Sequence, residues 1–221
     1  GRRCMPTRSA IMKLLFNSLL LMLCLVGCVP GDDDEKDGNY PPLCTDMLCV
    51  AIAEDGTLNT VLLDNGEQYD VSAQKLTSDA RDTILRCRAA YTLSEGRLKL
   101  HSIVHVFSDK AYPADAFYMV VDGVAIHDTR FIPRDPVKLI SMWKSGGYIN
   151  LHLGIMTTGN GVHSYAFCRD SEGAYSLVHQ RPQEDAESYT EHLYLSMPIP
   201  QGEEHPSFTV YTYDGIYTKT F

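Results

Sequence analysis

Two histidines in the middle of the chain have a spacing that could bind a metal ion. His101 and His105 lie four residues apart in a segment with strand-like alternation, so both side chains would face one side of a β-strand. A zinc site needs three or four ligands, and no third histidine or carboxylate is fixed by local spacing. We therefore interpret the pair as surface or hydrogen-bonded histidines and predict no metal ion and no other cofactor.

The other polar residues do not form the sequence motif of a known enzyme class. H-E-x-x-H, G-x-S-x-G, the Walker loop, G-x-G-x-x-G and C-x-x-C are all absent. The pairs Glu184/Asp185 and Glu203/Glu204 are neighbours in sequence, and neighbouring side chains of an extended chain point in opposite directions. Such carboxylates are typical of solvated loops, so the sequence predicts no catalytic residue and a protein that is not an enzyme.

Cys28 stands directly after an apolar segment near the beginning of the sequence. The segment from Leu14 to Val26 has thirteen residues and follows Lys13, which is the length and charge pattern of a signal-peptide core and too short to span a bilayer. Leu25-Val26-Gly27-Cys28 resembles a bacterial lipobox. We predict cleavage between Gly27 and Cys28, acylation of Cys28 (palmitate included) and anchoring in a membrane. The alternative is a buried helix that ends by chance at Gly-Cys.

The start of the signal peptide is open. Met12-Lys13 is a more natural beginning than Gly1, and residues 1–11 either extend the positive region through Arg2, Arg3 and Arg8 or belong to an over-long reading frame. We therefore predict a signal peptide over residues 1–27 whose translated part begins at Gly1 or at Met12.

The predicted mature chain is strongly acidic. Removal of residues 1–27 takes away four basic residues and no acidic one, so 19 basic residues become 15 against 28 acidic ones, and the net charge changes from −9 to −13. A field of this sign repels a polyanion. We therefore predict that nucleic acid is not a partner.

One cluster of basic residues interrupts this acidic chain. Five of the fifteen remaining basic residues fall within nineteen positions, and a tyrosine lies among them: Arg81, Arg86, Arg88, Tyr91, Arg97 and Lys99. We predict four of these as ligand contacts, namely Arg86, Arg88, Tyr91 and Lys99. The cluster could contact the protein's own second domain, an acidic glycan or phospholipid headgroups, and the sequence leaves these three open.

Four cysteines remain in the predicted mature body: Cys44, Cys49, Cys87 and Cys168. Outside the cytoplasm they could form two disulfides in any of three pairings. Cysteine also occurs as a small buried hydrophobic residue, so free thiols are the other interpretation, and the sequence leaves both open.

The elements that would position these residues are β-strands. Residues 28–43 form an acidic, proline-containing linker with little to bury. Residues 44–111 alternate in the manner of strands, with Asn65-Gly66 as the strongest hairpin signal. Five strands with a longer connection between the third and the fourth predict a small, partly open OB-like barrel.

The second half predicts a separate all-β domain. Residues 112–136 contain Pro113, Pro133 and Pro136 and are interpreted as an interdomain connection. Residues 137–221 have turn signals at short intervals and no helical segment, which predicts an antiparallel β-sandwich. Trp143 alternates with apolar residues of the first sandwich strand, so we expect it in the core or between the domains rather than free to stack on a sugar.

Four sequence segments together resemble the NigD-like lipoproteins of Bacteroidetes: residues 63–66 (LDNG), 135–143 (DPVKLISMW), 148–151 (YINL) and 213–215 (YDG). The resemblance implies an N-terminal OB-like domain followed by a β-sandwich. It also implies an outer-membrane lipoprotein, with the acidic run after Cys28 similar to a surface-export signal and the periplasmic face as the alternative.

What this resemblance implies about function is a non-catalytic surface binding or accessory role, with an unknown ligand such as a glycan or a protein. A bacteriocin-associated, immunity-type lipoprotein is the alternative. A metal-dependent enzyme of unrecognised type is the lower alternative.

Overall fold

The computed structural model describes residues 41–71 and 80–221, and these residues form β-strands and two short 3-10 turns at Ala114–Ala116 and Thr129–Phe131. The predicted signal peptide and Cys28 lie outside the described residues. Within those residues no helix has the length and apolar character needed to cross a bilayer. The first five strands are β1 (Leu43–Ile52), β2 (Leu58–Leu63), β3 (Gln68–Asp70), β4 (Thr83–Ser94) and β5 (Arg97–His105).

The later strands are shorter or belong to a second group of sheets. They are β6 (Phe107–Ser108), β7 (Ala111–Pro113), β8 (Met119–Val121), β9 (Val124–Ile126), β10 (Lys138–Ser145), β11 (Tyr148–Thr157), β12 (Ser164–Arg169), β13 (Tyr175–Gln180), β14 (Tyr189–Pro198), β15 (Ser207–Thr212) and β16 (Gly215–Thr220).

The first sheet has the order β3-β2-β1-β4-β5, with every neighbouring pair antiparallel. Its two edges approach each other through a parallel bridge between Val71 and Leu98. Strand order and edge contact are those of a small, partly open barrel, which confirms the predicted OB-like arrangement. The Asn65-Gly66 turn connects β2 and β3, and Gly66 takes the positive φ of 90° that this turn requires.

The side chains inside the first sheet follow the alternation of its strands. Because successive side chains of a strand point to opposite faces, every second residue of β1 and β4 enters one core. The fully or nearly fully buried residues are Leu48, Val50, Ile52, Cys87, Ala89, Tyr91, Leu98 and Leu100. The intervening residues of β4, Arg86 and Arg88, therefore lie on the outer face of this sheet.

The second half is a sandwich of two sheets, ordered β10-β11-β14-β6 and β16-β15-β13-β12-β7. Apolar residues from both sheets form one core, among them Ile149, Leu151, Leu153, Phe167, Tyr175, Leu195 and Phe208. The predicted all-β sandwich is confirmed, but the sheets are mixed rather than purely antiparallel. Three neighbouring pairs are parallel: β6 with β14, β7 with β12, and β13 with β15.

Two of the three parallel pairs have a simple topological origin. The two short strands β6 and β7 come from the stretch after β5 and are added to the edges of the two sandwich sheets, one to each. The segment predicted as a connection, 112–136, also holds the hairpin β8–β9 and both 3-10 turns. The domain boundaries stay predictions.

A hydrogen-bonded chain of buried polar groups fixes the loop after β13. His163 is 2.7 Å from an oxygen of Asp185 through Nε2 and 2.9 Å from His179 Nε2 through Nδ1. His179 Nδ1 in turn lies 3.0 Å from the carbonyl oxygen of Asp135. Hydrogen bonds from the hydroxyls of Thr157 and Thr158, and from His163, hold the pKa of the buried Asp185 carboxyl well below its ordinary range.

We predict that Asp185→Asn destabilises the protein in a pH-dependent way. A carboxyl whose pKa is lower in the folded state contributes stability above its unfolded pKa of about 3.9 and loses it as the pH falls towards the folded value. The variant should therefore unfold at a lower urea concentration than the wild type near pH 7, and the difference should shrink below about pH 4. Urea unfolding over a pH series measures this, with the exposed neighbour Glu184→Gln as the control. An equal difference at every pH would contradict the interpretation.

Candidate functional site

The strands of the first sandwich sheet turn a polar and aromatic face away from the sandwich core. In β11 the odd-numbered residues are core residues, so Asn150 and His152 lie on the opposite face. Residues paired across strands share a face, and the register pairs Asn150 with Trp143 and Ser196, and His152 with Ser141 and Tyr194. Two adjacent rows of polar and aromatic side chains result. Both face β1 and β4 of the first sheet, because Arg86 and Arg88 contact Ser196 and Tyr194.

Arg86 connects the first sheet to this polar face. The side chain is buried, with 4% of the residue exposed, and forms a two-pronged ion pair with Asp64 at 2.5 and 2.7 Å. Nη2, which bonds to Asp64, also donates to Asn150 Oδ1 at 3.0 Å, and Nε donates to Ser196 Oγ at 3.3 Å. The guanidinium lies 4.2 Å from the centre of the Tyr148 ring. Burial alone would lower the pKa of Arg86, but the hydrogen bond and charge of Asp64 outweigh it and raise the pKa.

The tight turn between β10 and β11 brings Ser145 and Gly146 of the sandwich into contact with Asp64. Ser145 Oγ donates to Asp64 at 2.5 Å and accepts from Asn150 Nδ2 at 2.9 Å. The next residue, Gly146, has a φ of +57°, and a Cβ there would collide with the Asp64 carboxylate and lie 3.0 Å from Asp64 Cα. Gly147 has open space in the same place. The turn can therefore reach Asp64 only because residue 146 has no side chain.

A cleft of about 470 Å³ opens beside this buried cluster. Such a volume falls within the range of small-molecule sites. Both the first sheet and the sandwich contribute to its lining: Thr45, Asp46, Met47, Leu63, Asp64, Asn65, Arg88, Tyr91, Ser141, Trp143, Ser145, His152 and Tyr194.

The charged groups of the cleft differ in how far they are paired. Asp64 is neutralised by Arg86, and Asp46 accepts a hydrogen bond of 2.7 Å from the Tyr91 hydroxyl. Burial, together with that bond, raises the pKa of Tyr91. Arg88 is half-buried with its guanidinium 4.9 Å from the centre of the Tyr194 ring, and no carboxylate of the described ranges forms an ion pair with it.

Aromatic rings form the sandwich side of the cleft. His152 stacks on Tyr194 with 4.3 Å between centroids and 13° between planes, and it also contacts His192 at 3.1 Å. Burial, and then the proximity of His192 and Arg88, lower the pKa of His152, so the imidazole is uncharged at neutral pH. Trp143, expected in the core or between the domains, is not a core residue. It is half-buried and lines the cleft, since Met142 occupies the core position of this part of β10.

The structure brings together only two of the four residues predicted as ligand contacts. Arg88 and Tyr91 line the cleft, whereas Arg86 is buried behind it and Lys99 is exposed on β5 outside the lining. The sandwich residues of the cleft were not predicted. The alternation of β11 could have indicated them. Its odd-numbered residues are apolar core residues, so its even-numbered residues must face a second surface.

The two histidines with metal-like spacing are not joined by further ligands. Both are exposed, and His101 Nε2 is 3.0 Å from the Thr92 hydroxyl. In the described part of the chain no three His, Cys, Asp or Glu residues are grouped so as to hold a metal ion. The four cysteines are free thiols, and burial raises the pKa of Cys87 to about 11, which disfavours the reactive thiolate.

We predict that Arg86 and Asp64 are energetically coupled. Arg86→Met leaves a carboxylate without its partner and should cost about 3–5 kcal/mol of unfolding free energy, and Asp64→Leu should cost a similar amount. The double variant should cost clearly less than the two together, because Asn150, Ser145 and Ser196 still bond to one another. Denaturant unfolding of the four proteins measures the coupling. Arg130→Met, which breaks an exposed ion pair, should change stability by no more than about 0.5 kcal/mol, and additive costs at Arg86 and Asp64 would refute the coupling.

No protein-family model and no curated protein matches the chain. Three solved structures are similar in fold. A NigD-like immunity protein from Bacteroides caccae is 24% identical with a TM-score of 0.57, over 82% of this chain and 93% of that one. A protein described as toxin related from Parabacteroides distasonis is 14% identical with a TM-score of 0.63, over 81% and 92%. A protein of unknown function from Bacteroides vulgatus is 14% identical with a TM-score of 0.57, over 80% and 90%. The similarity predicted from the sequence is thus found in the fold: this chain has the fold of the NigD-like proteins.

Proposed function

We propose that the protein is a NigD-like lipoprotein of the bacterial cell envelope that acts as a non-catalytic binding or accessory module. The observation that carries the proposal is the lipobox Leu25-Val26-Gly27-Cys28 at the end of an apolar segment of signal-peptide length. The fold shared with a NigD-like immunity protein over most of both chains supports the family. In this proposal acyl chains on Cys28 hold the protein on the outer membrane, at the cell surface or on the periplasmic side.

The sequence that follows Cys28 is consistent with a folded part that is held away from the membrane. Fourteen residues, 29–42, separate the predicted anchor from β1, and their polar composition predicts a linker that reaches on the order of 20 Å. The acidic run from Asp32 to Asp37 predicts a more extended linker, because like charges repel. The net charge of −13 on the mature chain also disfavours contact with anionic headgroups.

The chemistry of the cleft supports a binding role over a catalytic one. A nucleophilic serine needs a neighbouring base that can take its proton. Ser145 donates to Asp64, but both oxygens of that carboxylate already accept hydrogen bonds from the Arg86 guanidinium. Asp46 accepts the Tyr91 hydroxyl, and burial raises the pKa of that phenol, so the pair is a poor proton donor at neutral pH.

We predict that Cys28→Ala abolishes lipidation. Cells fed a clickable fatty acid should label the wild-type protein, and the variant should lose the label and leave the membrane fraction, because acyl chains are the predicted anchor. Cys24→Ala, four residues upstream in the apolar segment, is the matched control and should keep the label. Labelling of the Cys28→Ala protein would exclude the anchor. Protease treatment of intact cells then distinguishes the cell surface from the periplasmic face.

An immunity-type role is the second candidate, and the similarity to a protein described as a NigD-like immunity protein favours it. Deletion of the gene should then make the cells more sensitive to bacteriocins from neighbouring strains. Restoring the wild-type gene should reverse the effect, whereas the Cys28→Ala gene should not, since an unanchored protein would leave the surface it protects. Unchanged killing curves after deletion would remove this candidate.

A further inference from the structure

Arg88 supplies an unpaired cation to the cleft, and its geometry is suited to a carboxylate. Its guanidinium carbon lies 4.9 Å from the centre of the Tyr194 ring, and a guanidinium has five N–H donors, more than one ring contact can occupy. In the described ranges no carboxylate forms an ion pair with this side chain. A planar fork of N–H donors matches the two oxygens of a carboxylate.

The rest of the cleft limits how much negative charge a ligand can place beside Arg88. Asp46 and Asp64 line the same space, and only Asp64 has an ion-pair partner. His152 adds no positive charge at neutral pH, because its pKa is lowered. A single carboxylate therefore suits Arg88, whereas a phosphate dianion would be repelled by Asp46.

Trp143 supplies a flat apolar surface on the same face of the sandwich sheet. It is half-buried, and within the described part of the chain no aromatic ring stacks on the indole. Trp143 on β10 and Tyr194 on β14 are separated by β11 and lie in adjacent rows of cross-strand pairs. This separation corresponds to roughly 12 Å between their Cα atoms. A ligand that reaches both Trp143 and Arg88 is therefore longer than a simple carboxylate ion.

The polar groups between these two anchors suit hydroxyls. Thr45 and Ser141 contribute hydroxyls to the lining, and the Asp46 carboxylate has oxygens that can accept hydrogen bonds beyond the one from Tyr91. A sugar ring combines hydroxyls at its edge with a face of C–H bonds, and that face packs well on an electron-rich indole. The cleft thus offers a stacking surface, hydroxyl partners and one cation.

We infer that the cleft binds a carboxylated saccharide, with the carboxylate on Arg88 and a sugar ring on Trp143. This inference rests on the proposed binding role and specifies its ligand class. On the side of the first sheet, residues of β1 and β4, the end of β2 and the β2–β3 turn line the cleft, and the sandwich sheet lies opposite.

The experiment uses the intrinsic fluorescence of the full-length protein in detergent. Trp143 is the only tryptophan of the sequence, so its emission reports the cleft alone. Titration with trigalacturonate should change the emission saturably. The same concentrations of neutral galactotriose should have a much smaller effect, because that sugar has hydroxymethyl groups in place of the carboxylates. A tripeptide with a free C-terminal carboxylate should likewise leave the emission unchanged.

Variants then test the assigned contacts. Arg88→Gln should weaken trigalacturonate binding by about tenfold or more, and Arg88→Lys by less, since it keeps the charge but loses the fork. Lys99→Gln removes an exposed cation outside the cleft and should leave affinity within about twofold. Calorimetric titration of Trp143→Ala should show weaker binding of the same ligand. Thermal unfolding checks that each variant is folded.

Several outcomes would overturn the inference, and the ligand comparison needs no variant at all. These outcomes are no saturable change with trigalacturonate, equal binding of galactotriose, tighter binding of the tripeptide, or wild-type affinity in a folded Arg88→Gln protein. The labelling experiment on Cys28 is independent of all four. A lipidated protein that ignores trigalacturonate would remove the ligand class and leave the proposed envelope location standing, whereas an unlabelled protein would remove the location.

Discussion

The buried ion pair between Arg86 and Asp64 is the constraint on which the relation of the two halves depends. A guanidinium with only a few per cent of its surface exposed must have partners for its N–H groups, because an unpaired buried charge is very costly. Asp64 comes from the first sheet, and Asn150 and Ser196 come from the sandwich. Neither half alone could satisfy this side chain. The contact between the halves is therefore specified by hydrogen-bond geometry rather than by apolar burial alone.

The same arrangement explains why a cleft exists beside the pair. The first sheet contacts the polar and aromatic rows of β10, β11 and β14 at two places. Arg86 bonds to Asn150 and Ser196, and Arg88 lies against Tyr194. The cleft opens further along these rows. It lies between Arg88 and Met47 of the first sheet and His152 and Tyr194 of the sandwich. The cleft therefore has a polar lining, because polar faces of the two halves meet there. The same meeting of faces places Asp64 beside Arg86 and Arg88 beside the Tyr194 ring.

Much of the fold could be predicted from the sequence, because the pattern of alternation and turns is local. The Asn65-Gly66 hairpin and the inward face of β11 both appear where alternation places them. The parallel strands β6 and β7 could not be predicted, since two- or three-residue strands have too few residues to show a period.

The site was less predictable, for a physical reason that Arg86 illustrates. Alternation in β4 correctly put Arg86 outside the first core, and an arginine outside a core is normally solvated. The sheet that packs on this outer face is determined by tertiary contacts, and the sequence of β4 alone does not reveal it. Asp64 and Asn150, which decide the fate of Arg86, are 22 and 64 residues away from it in sequence.

The four free thiols of the body have a consequence for where the protein can fold. Cys44 and Cys49 lie five residues apart on one extended strand, which separates their Cα atoms by roughly 17 Å, well beyond the reach of a disulfide. Cys87 and Cys168 are buried in hydrophobic clusters of different parts of the fold. The fold of the described residues is therefore held without an oxidative cross-link, and a reducing environment would remove no bond from it. Under the proposed function, Cys28 is then the one sulfur atom of the mature chain whose covalent chemistry matters.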